Sequence, residues 1–247
     1  MSASPALTVE DRGPVRVLTL NRPDKLNAMS SELHDGLLTA LQDLRTSSTA
    51  RVAVLTGSGR AFSAGGDMEL IKRMQDDRSL RDATMATARE LFEEFTTLSI
   101  PVVAAVNGAA VGAGCTLALL CDVVIMDKTS FLSDARVTVG LVPGDGGSIL
   151  WPLLAGLSTA KAYLLTGDRI SAAEAWRLGL IHQVVDSDSL GAAMVLAERI
   201  ASRPAFAVRE TKRALDLHLT ASRSIFDYAM EAESRCFDDE GHRRAIP

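Results

Sequence analysis

Aromatic residues are scarce in this chain of 247 residues: Phe, Trp and Tyr together make up 4%, with two Trp and two Tyr. Few stacking surfaces and no block of Lys or Arg exclude a groove that tracks phosphates and stacks bases. The formal charge of -5 is scattered and gives nucleic acid nothing to hold. Three Cys (Cys115, Cys121, Cys236) form no CxxC or Cys/His ligand spacing and cannot all pair, as expected of reduced thiols in a cytoplasm. His34, His182, His218 and His242 also lack metal-ligand spacing, so no metal site and no catalytic histidine is expected. No apolar run reaches membrane-spanning length, and MSASPALTVEDRG has neither the basic head nor the apolar stretch of a signal peptide. The expectation is a soluble, cytoplasmic protein with no membrane partner.

Aliphatic and small residues are plentiful. Hydrophobic residues make up 47% of the chain and its mean hydropathy is +0.14, ample material for a core. VRVLTL (15–20) alternates like a strand, and the proline-punctuated loop NRPDKLNAMSSE ends in serines suited to capping a helix. Leu33, Leu37, Leu41 and Leu44 then recur at helical spacing, before a short buried strand at RVAVLTG (51–57). A helix is predicted from Asp67. A polar segment, QDDRSLRD, is expected to separate it from a further helix over 83–98 with Leu91, Phe92 and Phe95 facing inward. Strands follow at PVVAAV, VVIMD and IHQVV, and the remainder reads as helices over 159–165, 172–178, 190–202, 207–217 and 224–236. Strands and helices alternate first and helices dominate last, which predicts an α/β core over 1–190 and a helical extension over 191–247 packed on the core or on another subunit.

Two loops carry the chemistry. FSAGGD (62–67) and GAAVGAGC (108–115) each follow a buried strand, each open a helix, and are made of residues small enough for a ligand to touch the backbone. Converging N–H groups from two such loops form an oxyanion hole; the alternative is that the glycines only permit tight turns and close packing. A phosphate cradle is disfavoured, because GAAVGAGCT has no lysine in the Walker position and no GxGxxG register. Serine hydrolase chemistry is disfavoured too, since Ser63 has no predictable base beside it.

NRPDKLNAMS, GSGRAFSAGGDM, IPVVAAVNGAAVGAGCTLALLCD, VGLVPGDGG and LLTGDRISAAEAWRLGLIHQVV together resemble the crotonase superfamily, the enoyl-CoA hydratase/isomerase family, over nearly the whole chain. The resemblance implies a spiral of ββα units with a helical C-terminal trimerisation region, assembled as a homotrimer or a dimer of trimers. It also implies an acyl-CoA thioester substrate, with coenzyme A entering only as part of that substrate and no separate cofactor. Carried over by position, the oxyanion donors are the backbone N–H groups of Ala64 and Ala113. Lys25 falls where the family contacts the CoA phosphates, unless it is an ordinary solvated lysine. The backbone of Ala64, Gly65, Gly66, Asp67 and Met68 lines the adenine and pantetheine end.

The two glutamates that manage water in family hydratases are replaced, in this resemblance, by Thr116 and Arg136. A hydroxyl and a guanidinium are poor proton carriers at neutral pH, so hydration is expected to suffer. Asp145, in PGDGG, stands where the acyl group passes and is the candidate base; relatives often place the acid one residue earlier, at Gly144 here. Its other reading is a turn former. Asp134 is a second candidate, read chiefly as an ion-pair or cap residue, and Asp122 as a buried structural acceptor. Trp151, Leu91, Phe92 and Phe95 are candidates for an acyl tunnel or for core. Two functions follow: an acyl-CoA enzyme working through enolate stabilisation, of isomerase type or with divergent chemistry, or a catalytically silent acyl-CoA-binding homologue.

Overall fold

The computed structural model describes residues 5–246; the first four residues of the predicted core and Pro247 of the predicted extension lie outside it. The chain opens with an antiparallel hairpin, β1 (Leu7–Arg12) and β2 (Val15–Leu20), then α1 (Ser31–Thr46). Three ββα-like turns follow. The first is β3 (Val52–Gly57), β4 (Ala61–Ser63), α2 (Met68–Asp76) and α3 (Arg78–Thr97); the second is β5 (Val102–Val106), β6 (Ala109–Val111) and α4 (Ala113–Leu120). The third pairs β7 (Val123–Asp127) and β8 (Phe131–Ser133) with a 3-10 turn over Ala135–Val139. Beyond it lie α5 (Gly147–Ala155), α6 (Leu157–Thr166), β9 (Ile170–Ser171), α7 (Ala172–Arg177) and β10 (Gln183–Val185). The chain finishes with α8 (Ser189–Ala201), α9 (Ala205–Thr220), α10 (Arg223–Cys236) and α11 (Glu240–Ala245).

Each turn gives its first strand to a sheet ordered β1-β2-β3-β5-β7-β10 and its second to a smaller sheet ordered β4-β6-β8-β9. Pairing from β2 onward in the large sheet is parallel, so both faces must be covered, and the wholly buried pattern of β3 and β5 records it. One face packs on α1, whose Leu33, Leu37, Leu41 and Leu44 are fully buried. Each such side chain is worth roughly 1.5–3 kcal/mol of burial. Ser30 caps that helix by accepting from Leu33 N at 3.3 Å. The other face is covered by Ala193, Ala197 and Ala201 of α8, which sit among Val15, Val52, Val54 and Val103. The boundary predicted at 190/191 therefore falls inside a helix that belongs to the core layers.

The small strands β4, β6, β8 and β9 were invisible to alternation because two or three residues cannot establish a period. QDDRSLRD also differs from its reading as a polar separator: α2 runs to Asp76 and α3 begins at Arg78. Only Asp77 intervenes, and its carboxylate caps α3 by accepting from Leu80 N at 2.9 Å. The C-terminal α10 folds back over its own chain, stacking Phe226 on Phe92 of α3 with ring centroids 4.1 Å apart. Among the described residues no helix is long and apolar enough to cross a membrane.

Candidate active site

The loop after β2 is fastened to the turn between β3 and β4 by one buried side chain. Asn27, at φ 55, donates to Ser58 O and Ala61 O (2.9 and 2.8 Å) and accepts from Arg22 N at 2.8 Å. Ser63 Oγ donates to Asn27 O at 2.8 Å, a structural bond that leaves no place for a nucleophile. Next to it, the backbone pairs Ala64 N–H with Leu26 O (2.9 Å), Met29 N–H with Gly65 O (2.7 Å) and Asp67 N–H with Met29 O (3.2 Å). Ala64's donor is thus already taken, which counts against the oxyanion role expected of it. Gly66 N–H, between these bonds, has no acceptor among the described residues.

The two glycine-rich loops touch. Gly65 sits at φ 95, and a Cβ there would lie 2.6 Å from Val111 O and 3.7 Å from Ala113 N, so only glycine allows the approach. Gly112, at φ 51, gives its N–H to Ser133 O at 2.8 Å and turns the chain into α4. Ala113 is the first residue of that helix, and its N–H has no acceptor among the described residues.

Both loops line a cavity of about 240 Å³ whose walls include Met29, Ile71, Met74, Met85, Leu141 and Phe237. Its polar lining includes His34, Arg136, Asp145 and Glu233. Arg136 is the hub. Its Nη1 donates to Asp134 Oδ2 at 3.0 Å, and its Nη2 donates to Asp145 Oδ2 and, at 3.3 Å, to Thr116 Oγ1. Its Nε lies 3.9 Å from Glu233 Oε1. Thr116 Oγ1 donates to Asp145 Oδ1 at 2.8 Å, and Glu233 Oε2 accepts from Gly144 N at 3.0 Å.

Burial pushes the Asp134 carboxyl up, against the pull of Arg136. Burial opposes the charge on Arg136 as well, but Asp134, Asp145 and Glu233 together raise its pKa. Glu233 is pushed up to about 8 by burial, with Asp145 and Asp134 adding to it and Arg136 opposing. Burial lowers His34, while Asp145 pulls the other way; its Nδ1 is buried without a partner.

The structure brings Asp145, Arg136 and Thr116 into one hydrogen-bonded group at the cavity, with Asp134 behind Arg136. Asp67 caps α2 through Glu69 N at 3.0 Å and pairs with Arg22 at 2.9 Å; these bonds outweigh its burial and lower its pKa. Met68 is exposed beside it. Lys25 reaches Glu69 at 3.2 Å, with both side chains largely in solvent. Asp122 accepts from Val102 N and Lys212 at 2.7 Å each, as expected of a structural acceptor, but it is exposed rather than buried. Trp151 is fully buried against Tyr163 and is not among the cavity residues. His34 and Glu233 are titratable cavity residues that sequence reasoning missed. His34 is half-buried on α1, one position along from the leucine stripe, and the only signal was that offset. Glu233 comes from α10, 88 positions after Asp145, and carried none.

A spiral of strand pairs and helices whose two glycine-rich loops meet at an apolar cavity is the crotonase fold. The chain belongs to the enoyl-CoA hydratase/isomerase family, whose sequence model matches residues 10–246. A solved enoyl-CoA hydratase/isomerase from Mycobacterium paratuberculosis is 44% identical and superposes with a TM-score of 0.95, covering 100% of this chain and 99% of its own. A short-chain-enoyl-CoA hydratase of Clostridium acetobutylicum is 31% identical over 96% of this chain and 92% of its own length. A 1,2-epoxyphenylacetyl-CoA isomerase of Escherichia coli is 36% identical over 89% and 84% respectively.

Proposed function

We propose that the protein is a double-bond isomerase of acyl-CoA thioesters that works through a thioester enolate. The observation that carries this reading is the pair of unengaged N–H groups on Gly66 and Ala113, in loops that touch, opening on the cavity that also holds Asp145. The thioester oxygen sits between these donors, where charge developing on it is stabilised without reorganisation. Gly66 replaces Ala64 in this role because Ala64 N–H is bonded to Leu26 O. Asp145 takes the proton from C2. Lys25 and the backbone of 64–68 face the CoA moiety, which arrives as part of the substrate, and no other cofactor or metal is required.

Hydration is the weaker activity. Water addition needs a carboxylate free to position and deprotonate water. Thr116 spends its hydroxyl hydrogen on Asp145, and Arg136 has no acceptor to offer. A catalytically silent binder is disfavoured by the open donor pair. Incubating the purified protein with 2-enoyl- and 3-enoyl-CoA esters, and following water addition and double-bond migration separately, tests the reading. Migration without appreciable hydration is expected; brisk hydration would overturn it.

A further inference from the structure

Three carboxyl groups surround one guanidinium in this site. With Asp134, Asp145 and Glu233 all ionised around Arg136, the group would carry two uncompensated negative charges in a place where none of the four residues is well solvated. Uncompensated buried charge is costly enough that a carboxyl retains its proton instead.

Which one retains it is decided by contacts. Asp145 accepts at both oxygens, from Thr116 and Arg136, the arrangement of an ionised carboxylate. Asp134 receives a full hydrogen bond from Arg136 and is not among the cavity residues. Glu233 has only Arg136 Nε at 3.9 Å, beyond hydrogen-bonding reach, while its Oε2 rests on Gly144 N–H. It does line the cavity.

We propose that Glu233 is the proton donor of this site, protonating C4 of the dienolate formed when Asp145 removes a proton from C2 of a 3-enoyl-CoA. The proposal rests on the isomerase reading and adds the second proton carrier to it. Bond by bond, the C2–H bond breaks toward Asp145 and its electron pair moves onto the thioester oxygen held by Gly66 and Ala113. When the carbonyl re-forms, C2 and C3 become doubly bonded, and the former C3–C4 π pair takes the proton from Glu233. Asp145 is left neutral and Glu233 ionised, and exchange with solvent resets both. A carboxyl held up to about 8 by burial is protonated at neutral pH, as this step needs. The charged and titratable groups facing Glu233 are Arg136, Asp134 and Asp145 from the opposite wall and Cys236 on its own helix.

The test uses the full-length protein and 3-hexenoyl-CoA in deuterated buffer, reading C2 exchange and isomerisation as separate signals. Glu233→Gln keeps an oxygen for Gly144 N–H but carries no exchangeable acid. It should isomerise at least about a hundredfold more slowly while exchanging C2 protons at the wild-type rate. Wild-type product should carry deuterium at C4, and its isomerisation should fall above about pH 8 while C2 exchange persists. Undiminished isomerisation by Glu233→Gln overturns the proposal and leaves the isomerase reading standing. Loss of C2 exchange together with isomerisation overturns it as well, since Glu233 would then only hold Arg136 and Asp145 in place. A wild-type protein that neither exchanges C2 protons nor isomerises sinks the isomerase reading itself.

Discussion

Thr116 Oγ1 accepts a hydrogen bond from Arg136 at 3.3 Å, so the two side chains that the family resemblance matches to the hydratase glutamates are joined to each other. They also share Asp145, to which both donate. A cation and a hydroxyl together hold one carboxylate.

Removing the cation exposes how much it compensates. Arg136→Met leaves the carboxylates it pairs with, Asp134 and Asp145, without a counter-charge, and breaking a buried pair from one side costs on the order of 3–5 kcal/mol. Urea unfolding at neutral pH should show a loss of that order, shrinking as acid protonates the carboxyls still ionised there. A variant as stable as wild type would show that the cluster is solvated.

Asp145→Asn preserves size and still accepts from Thr116 at its amide oxygen, but it removes the base. Isomerisation of a 3-enoyl-CoA should fall by about a hundredfold or more, with acyl-CoA affinity nearly unchanged in a calorimetric titration. Full activity in this variant would move the base to Asp134 or His34.

Ala113 is the first residue of α4, a position that proline suits because its missing N–H is one the helix does not use. Ala113→Pro should therefore fold normally and lose one oxyanion donor, lowering turnover by about 10²–10³ with a melting temperature close to wild type. Retained turnover would remove Ala113 from the oxyanion pair.

The large sheet from β2 onward, α1 and the two glycine-rich loops were legible because their signals are local: a strand of six alternating or apolar residues, four leucines at helical spacing, glycines where backbones approach. The bond from Ala64 N–H to Leu26 O was not legible, because it depends on the Asn27 turn, a contact across 38 residues that no local pattern encodes. Glu233 was illegible for a related reason. Its environment is made by Arg136 and Gly144 on a different part of the chain, and α10 on its own reads as an ordinary amphipathic helix with acids on its polar side.

Assembly is the next expectation. Leu154 of α5 and Leu215 of α9 are exposed, yet they flank one apolar groove of about 510 Å³ between these helices. Phe206 and Leu217 are exposed on the same C-terminal helix. Such surface favours covering by another copy, and a homotrimer or a dimer of trimers is expected in sedimentation at micromolar concentration. Leu215→Asp should shift that distribution toward monomer; a wild-type monomer would refute it.

Glu233 also makes a prediction about stability and pH. Its folded-state pKa lies at about 8 against an ordinary 4.5, so between these values the native protein holds a proton that the unfolded chain has released. A raised pKa contributes stability that is complete below the unfolded value and is lost as pH rises through the folded one. The wild type should therefore weaken relative to Glu233→Gln between pH 4.5 and 8, by roughly a few kcal/mol, because every tenfold change in proton affinity is worth about 1.4 kcal/mol. The comparison cancels titrations common to both proteins, leaving those of Glu233 and its couplings to Arg136, Asp134 and Asp145. Unfolding both proteins in urea at pH 5 and at pH 8.5 measures it. A stability difference that stays constant across that range would mean that Glu233 is ionised throughout, and the proton it is expected to deliver would not be there.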